Sequence, residues 1–234
     1  MLKAFYRLKG YEGLLTDFLS GLFVFDEIHA YDVQRLGAIV AAIRYLRENF
    51  DARFLVMSAT LPGLLQAWLA AAMGTNLIIR ATPAVFSRFQ RHRLLLQEGD
   101  LTAGGWPERI AAEAGKGKSV LVCCNTIGRA QRVYSQLAGI LGNGIQVMLL
   151  HGRFNSRDRL NKERLIQEAS GSQSGTRRPI VLVATQVVEV SLDIDLDVIY
   201  TDPAPLEALI QRFGRINRRC LKKWATSLCV YRAQ

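Results

Sequence analysis

The chain has few of the residues that bind metals or form cross-links. Its 234 residues include four cysteines and three histidines. No two cysteines stand in C-x-x-C spacing, and His29, His92 and His151 are far apart in the sequence. These absences argue against a structural zinc site and against a metal-dependent nuclease centre. Cys123 and Cys124 lie inside an apolar run, which favours buried and unreactive thiols.

Long apolar segments are absent as well. No stretch reaches the roughly 20 apolar residues of a membrane span. The first residues show no apolar signal core followed by a small-residue cleavage site. The composition therefore predicts a cytoplasmic protein with no membrane partner. Half of the residues are hydrophobic, which is enough for a sizeable core in one large domain or two small ones.

The positive charge is spread unevenly along the chain. The formal net charge is +10, and residues 85–234 carry +9 of it, with 22 Lys and Arg against 13 Asp and Glu. Such an asymmetry between the two halves indicates a nucleic-acid partner. A basic, solvated surface would explain the charge equally well, so the motifs have to decide.

Apolar runs alternate with amphipathic stretches along the whole chain, which predicts parallel α/β sheets. Strands are predicted at Leu22–Phe25, Phe54–Met57, Leu77–Ile79, Arg93–Leu96, Ser119–Cys123, Gln146–Leu150, Ile180–Val183, Val198–Thr201 and Leu228–Tyr231. Helices are predicted at about Asp32–Asn49, Pro62–Met73, Glu108–Ala114, Arg129–Leu141, Arg157–Ala169 and Leu206–Phe213. The pattern is lost in residues 81–91, which predicts a linker between a first domain, 1–80, and a second domain, 92–234.

Two adjacent carboxylates, Asp26 and Glu27, follow the first predicted strand. In open α/β sheets, ligands bind at the carboxyl ends of the strands. Asp26 can hold Mg²⁺ on a nucleotide there, and Glu27 can polarise an attacking water. A P-loop with its strand and helix would have to come earlier, yet only 25 residues precede Asp26. We therefore expect half of an ATP site, although an acid pair that merely caps a helix would look similar.

Four further patterns follow in order: Ser58–Thr60, Leu150–Phe154, Ala184–Asp193 and Gln211–Arg218. The first three start at the ends of predicted strands. In the last, Arg215 and Arg218 would share one helix face if the helix continued through them. Arginine forks onto phosphate oxygens, so such a pair could contact a γ-phosphate.

One P-loop-like pattern, at residues 112–119, fails on its context. A P-loop follows a strand and opens a helix, because its amides and the helix N-terminus bind phosphates. Here a predicted helix precedes Lys116 and Lys118, and a predicted strand follows them. The sequence therefore predicts a helix-to-strand turn with two solvated lysines.

As a set, these motifs resemble superfamily 2 helicases, and in particular the helicase portion of the CRISPR-associated helicase-nuclease of type I interference systems. The residues that carry the resemblance are Asp26–Asp32, Thr185–Glu189, Ser191–Asp193, Thr201-Asp202 with Pro205, and Gln211–Arg218. Most superfamily 2 members have Gly where this chain has Ser191, and Ser-Leu-Asp is typical of the CRISPR family. The resemblance runs from about Leu2 to Arg219. It implies two RecA-like parallel-sheet domains, the first of them N-terminally truncated.

The resemblance also implies ATP and Mg²⁺ as cofactors. Asp26 would coordinate Mg²⁺, and Glu27 would orient the hydrolytic water. Residues of the second domain would contact the nucleotide: Ser191, Asp193, Gln211, Arg215 and Arg218.

Other residues would link the ATP site to the substrate. Arg153 and Thr185 are implied to lie toward the nucleic-acid track. Arg212 would either join the phosphate-binding arginines or form a structural salt bridge. Three residues would couple hydrolysis to domain movement: His29, Ser58 and Thr60. The implied partners are single-stranded DNA and the CRISPR surveillance complex.

The sequence therefore predicts part of an ATP-dependent DNA helicase of CRISPR interference, and because the P-loop is absent we expect the chain to be inactive by itself. Two alternatives stay open. The chain could be a non-catalytic nucleic-acid-binding piece, because the P-loop and a nuclease domain are missing from it. It could also belong to another superfamily 2 helicase that acts on RNA or in repair.

Overall fold

The computed structural model describes residues 9–58, 61–75, 77–170, 178–189, 192–220 and 223–231. The chain divides into two compact units, Met1–Ala81 and Thr82–Gln234. Both units combine helices with parallel strands. No helix in the described ranges is long and apolar enough to cross a membrane.

The first unit is built around two parallel strands that pair in register, with Phe25 opposite Val56. Asp32 caps the long helix between them, because its carboxylate accepts the N–H of Arg35 at 2.8 Å. In chain order the elements are α1 (Tyr11–Thr16), β1 (Leu22–Phe25), a 3₁₀ turn (Ile28–Ala30), α2 (Val33–Phe50), β2 (Arg53–Val56) and α3 (Gly63–Met73).

Helices α2 and α3 bury one face of the β1–β2 pair. The core residues of this unit are Ile28, Ile39, Ile43, Leu65, Leu69 and Ala72. On the opposite face, Leu22, Val24 and Leu55 are 70%, 53% and 47% exposed. Parallel sheets are normally covered on both faces, so this apolar face is unusual for a β-sheet of this type.

The second unit is a doubly wound α/β layer structure. Its six strands are all parallel and lie in the order β3-β8-β7-β4-β6-β5. The elements are α4 (Pro83–Arg88), β3 (His92–Glu98), α5 (Trp106–Gly115), β4 (Val120–Cys123), α6 (Ile127–Leu141), β5 (Gln146–Leu150), α7 (Ser156–Ser170), β6 (Ile180–Ala184), a 3₁₀ turn (Gln186–Val188), β7 (Val198–Thr201), α8 (Leu206–Phe213) and β8 (Ala225–Tyr231). The predicted fold class, with parallel α/β sheets of the RecA-like kind, is confirmed.

The central strands of this sheet are covered on both faces. Every residue of β4 and β6 is buried, and the two hydrophobic clusters of the unit lie on opposite sides of these strands. Burial raises the pKa of the Cys123 thiol to about 12 and also raises that of Cys124. Both cysteines are therefore inert core residues, as the sequence predicted.

Three local predictions differ from the structure. Residues 77–79 form no strand, because they pair with no neighbour in the described sheets, and Leu77 and Ile79 are 80% and 89% exposed. The predicted linker 81–91 contains helix α4. Helix α8 ends at Phe213, and Asn217 has the positive φ of 47°. Arg215 and Arg218 therefore do not share a helix face.

The P-loop-like segment is a helix-to-strand turn, as predicted. Helix α5 precedes it and strand β4 follows it. Lys116 and Lys118 both bind the carboxylate of Glu113, the first at 2.7 Å and the second at 2.5 Å. The two lysines thus neutralise the Glu113 carboxylate at the end of their own helix. Their side chains do not form a phosphate-binding site.

Candidate functional site

The acid pair lies where strand β1 ends. Glu27 adopts the left-handed conformation, with φ 49° and ψ 46°, and its N–H donates to Asp26 Oδ1 at 2.9 Å. This conformation is rare for a residue with a Cβ and costs about 1–3 kcal/mol. It turns the chain sharply into the 3₁₀ turn that follows. Both carboxylates remain exposed.

His29 connects the acid pair to the neighbouring strand. Its Nδ1 lies 2.6 Å from Ser58 Oγ and 3.3 Å from Glu27 Oε2. The pairing of β1 with β2 causes this proximity, because Met57 N–H donates to Phe25 O at 2.8 Å and brings the two strand ends together. The structure thus assembles four of the predicted residues in one place. Thr60, predicted beside them, lies outside the described residues.

The donor set at Asp26 suits magnesium bound together with a nucleotide. Mg²⁺ is usually held by one or two carboxylates plus substrate phosphates. Asp26 offers one exposed carboxylate, of which Oδ1 also accepts a backbone N–H. Over the ranges that the structure describes, no group of three or more His, Cys, Asp or Glu could hold a metal by itself.

In the second unit, a polar network joins the carboxyl ends of β4 and β7. Arg129 forks onto Asp202 with distances of 2.9 and 2.8 Å and also binds Asp100 at 2.9 Å. Asp202 accepts the Asn125 N–H at 2.9 Å. Asp202 raises the pKa of Arg129, and Asp100 adds to this effect. The network fixes the loops that follow the two central strands.

Arg212 belongs to this network and is not available to a ligand. Its side chain is 1% exposed, and its Nε lies 2.8 Å from Glu189 Oε1. The remaining nitrogens donate to Thr201 Oγ1 at 2.8 Å and to Asn125 Oδ1 at 3.2 Å. Of the two roles considered for Arg212, the structure supports the structural salt bridge.

Arg215 binds backbone oxygens. Its guanidinium donates to the carbonyls of Val188, Glu189 and Leu192 at 2.7, 2.7 and 2.8 Å. These carbonyls bracket the segment that contains Ser191, which lies outside the described residues. Arg215 therefore braces the loop that leads to Asp193.

Arg218 is the most exposed of the three motif arginines. Its Nη1 lies 3.0 Å from Asp193 Oδ1, and the two side chains are 44% and 47% exposed. The loop that carries Arg218 lies beside the segment before β7, since Ile216 pairs with Leu196. Gln211, in the last turn of α8, is half-buried.

The segment predicted to face nucleic acid follows β5. His151 stacks on Phe154, with the ring centroids 4.2 Å apart and an angle of 8° between the planes. The ammonium of Lys162 lies 4.7 Å from the Phe154 ring centroid. Arg153 is exposed, and its N–H donates to His151 Nδ1 at 3.3 Å. Thr185 is buried at the end of the adjacent strand, where its N–H donates to Leu150 O at 3.2 Å.

The sequence analysis named Asp202 as part of a motif but did not predict the polar network that it forms with Asn125 and Arg129. Asp202 directly follows strand β7 and Asn125 lies two residues after strand β4, so each comes soon after an apolar run, which is the signal that singled out Asp26. Arg91 and Asp195 were also overlooked. Asp195 is a buried carboxylate, but it alternates with apolar residues in the same way as Asp193 and Asp197, so the local sequence does not single it out.

The fold and these motifs define the chain as part of a superfamily 2 helicase. Residues 116–220 match the family described as "CRISPR-associated nuclease/helicase Cas3, C-terminal". The chain is 31% identical to the CRISPR-associated endonuclease/helicase Cas3 of Escherichia coli over an alignment of 220 positions. This alignment covers 83% of this chain and 25% of that protein. The chain is 30% identical to the Cas3 of Thermus thermophilus over an alignment of 271 positions, which covers 91% of this chain and 29% of that protein.

Solved structures agree with these relatives. The crystal structure of T. fusca Cas3 with ADP matches 90% of this chain and 29% of that chain, with a TM-score of 0.73 and 27% identity. Other matching T. fusca Cas3 structures contain AMPPNP and ATP. A CRISPR RNA-guided surveillance complex in a pre-nicking state matches with a TM-score of 0.67 and 28% identity, over 90% of this chain and 31% of that one.

This chain belongs to the family of CRISPR-associated Cas3 helicases. It spans between a quarter and three tenths of the length of the curated relatives described above. The activity, substrates and partners of a whole Cas3 protein are therefore proposals for this chain.

Proposed function

We propose that the chain forms part of an ATP-dependent DNA helicase of CRISPR interference. Residues 1–80 and 92–234 would be two RecA-like domains joined by residues 81–91, with ATP and Mg²⁺ bound by both. The observation that carries the proposal is the cluster of Asp26, Glu27, His29 and Ser58 at two adjacent strand ends. Structures of T. fusca Cas3 with nucleotides support it.

The two residues of the acid pair would have different roles at the phosphates. Asp26 would hold Mg²⁺, which neutralises negative charge on the phosphate oxygens. Glu27 has an exposed carboxylate that can accept a hydrogen bond from a water and orient it. His29 contacts both Glu27 and Ser58, so a movement of the Glu27 carboxylate would be transmitted to the end of the next strand.

The second domain would supply positive charge. Arg218 carries an exposed guanidinium, and exchanging its contact with Asp193 for a γ-phosphate would make it an arginine finger. Such a finger is worth about 10³–10⁵ in rate. Arg153 and Thr185 would lie along a single-stranded DNA track, and the CRISPR surveillance complex would deliver that DNA.

The test is a steady-state ATPase assay with Mg²⁺, with and without single-stranded DNA, on a full-length relative and on the purified chain. In the full-length relative, Glu27→Gln at the equivalent position should abolish turnover and leave ATP binding largely intact. Glu48→Gln is the matched control, because Glu48 is an exposed carboxylate of the same unit that pairs with Arg47.

Undiminished turnover in Glu27→Gln would refute the assigned role. DNA binding without any turnover in the unchanged chain would favour the non-catalytic nucleic-acid-binding function. A preference for RNA over DNA of the same sequence would instead favour another superfamily 2 helicase.

A further inference from the structure

The loop that carries Arg218 is held tightly at the amino ends of strands β7 and β8. Asn217 N–H donates to Leu196 O at 2.9 Å, two residues before β7. Asn217 itself is buried and takes the left-handed conformation, with φ 47°, which Asn tolerates better than most residues. The backbone that precedes Arg218 is therefore fixed in position.

The backbone of Arg218 is bound on both sides. Its N–H donates to Asp195 Oδ1 at 2.7 Å, and Asp195 is a 2% exposed side chain that also accepts from Arg219 Nε at 3.1 Å. Its carbonyl accepts from Arg91 Nη1 at 3.0 Å. Asp195 thus holds one side of the Arg218 peptide, and a residue 127 positions away in the sequence holds the other.

Arg91 is itself fixed in place. Its carbonyl accepts the Ala225 N–H at 2.8 Å, where β3 and β8 begin to pair. Its Nε donates to His92 Nε2 at 3.2 Å. Burial and the charge of Arg91 lower the pKa of His92 to about 4, so His92 is a neutral acceptor at neutral pH. The guanidinium of Arg91 therefore joins a side chain of β3 to the backbone of the Arg218 loop.

We propose that Arg91 is a positioning residue that fixes the backbone of Arg218 for contact with the nucleotide. The inference rests on the proposed function, because it takes Arg218 as the phosphate-binding arginine. The Arg218 side chain is 44% exposed and bound to an exposed carboxylate. The region that the guanidinium of Arg218 can reach is therefore set mainly by the position of its backbone, which is held by hydrogen bonds from Arg91 and to Asp195. A lysine at position 91 has one charged nitrogen and cannot make both bonds with the geometry of a planar fork.

The first test measures the position of Arg218 without any activity. Amide hydrogen exchange of Arg218 is followed by NMR in the unchanged chain, in Arg91→Ala and in Arg93→Ala. Arg93 is an exposed arginine of β3, two residues after Arg91, and therefore controls for the loss of one positive charge. We expect exchange of the Arg218 amide to rise at least tenfold in Arg91→Ala and less than twofold in Arg93→Ala. Equal exchange in the two variants would overturn the proposal.

The second test is a double-mutant cycle on DNA-stimulated ATP turnover in a full-length protein that contains these residues. Arg91→Ala should lower kcat at least tenfold and leave the KM for DNA unchanged. The same change in an Arg218→Ala background should have no further effect, because the positioned side chain is already gone. Arg91→Lys should not restore turnover.

The outcomes separate this inference from the proposed function. Additive effects of the two changes, or an equal loss of kcat in Arg93→Ala, would refute a positioning role. If a full-length protein that contains these residues binds and hydrolyses no ATP, the proposed function fails. The hydrogen-exchange result then decides by itself whether Arg91 positions the Arg218 backbone.

Discussion

Arg215 and Arg218 resemble each other in the sequence, yet the structure predicts opposite results when each is replaced. Arg215→Gln removes the guanidinium that donates to three backbone carbonyls. A hydrogen bond to a charged group contributes about 1.5–3 kcal/mol. Arg215 is half-buried, so water can replace part of what is lost, and we expect destabilisation of about 2–4 kcal/mol.

Arg218→Gln should have almost no effect on stability. Its ion pair with Asp193 is about half exposed on both sides, and such pairs contribute about 0–1 kcal/mol. If Arg218 is the arginine finger, turnover should nevertheless fall by about 10³–10⁵. The two variants therefore separate stability from activity.

Urea unfolding followed by tryptophan fluorescence measures the stability difference, and the ATPase assay measures turnover. Arg164→Gln is the control, because its pair with Glu168 is also an exposed surface contact. If Arg215→Gln unfolded at the same urea concentration as the unchanged chain, the bracing role would be refuted. A loss of stability in Arg218→Gln equal to that in Arg215→Gln would refute the distinction itself.

Three further predictions follow from single contacts. Arg153→Ala should lower the slope of log affinity against log salt concentration for single-stranded DNA by about 0.7. Arg164→Ala removes a side chain that is paired with Glu168 and should change this slope less. Equal slopes in the two variants would contradict a phosphate contact of Arg153. Ser58→Ala removes the hydroxyl 2.6 Å from the histidine ring, so less DNA should be unwound per ATP at nearly unchanged turnover, and a proportional loss of both would argue against coupling. The pKa of His92 falls from 6.5 to about 4 on folding, so the unfolded chain binds more protons in this window and stability should decrease as the pH drops from 6.5 to 4. His92→Gln should show a smaller decrease in the urea midpoint over the same range, and identical pH profiles would contradict the prediction.

Hydrophobic periodicity was sufficient to predict the sheet of the second unit. Strands such as Ile180–Ala184 are continuous apolar runs because they are buried on both faces, and this pattern is strong in the sequence. The acid pair could be predicted for a related reason. A charged residue directly after an apolar strand stands at the carboxyl end of that strand, where ligands bind in this class of fold.

Contacts between distant segments could not be predicted in this way. The exposed Leu77–Ile79 stretch is as apolar as a strand, but it finds no partner to pair with in the described sheets. The contact of Arg91 with the Arg218 carbonyl joins residues 127 positions apart, and no local pattern marks it. Spacing also misled at Arg215, because the helix that would align it with Arg218 ends at Phe213.

The end of helix α8 explains why three arginines spaced three residues apart have different environments. Arg212 is still helical and points into the polar network, where it is 1% exposed and paired with Glu189. Arg215 follows the helix end and meets backbone carbonyls. Arg218 comes after the left-handed turn at Asn217, which carries it to the surface. A continuous helix would have stacked Arg215 and Arg218 on one face and left the loop before Asp193 without its brace. The break in the helix therefore assigns fixed structural contacts to the first two arginines and leaves the third with an exposed side chain, as the proposed phosphate contact requires.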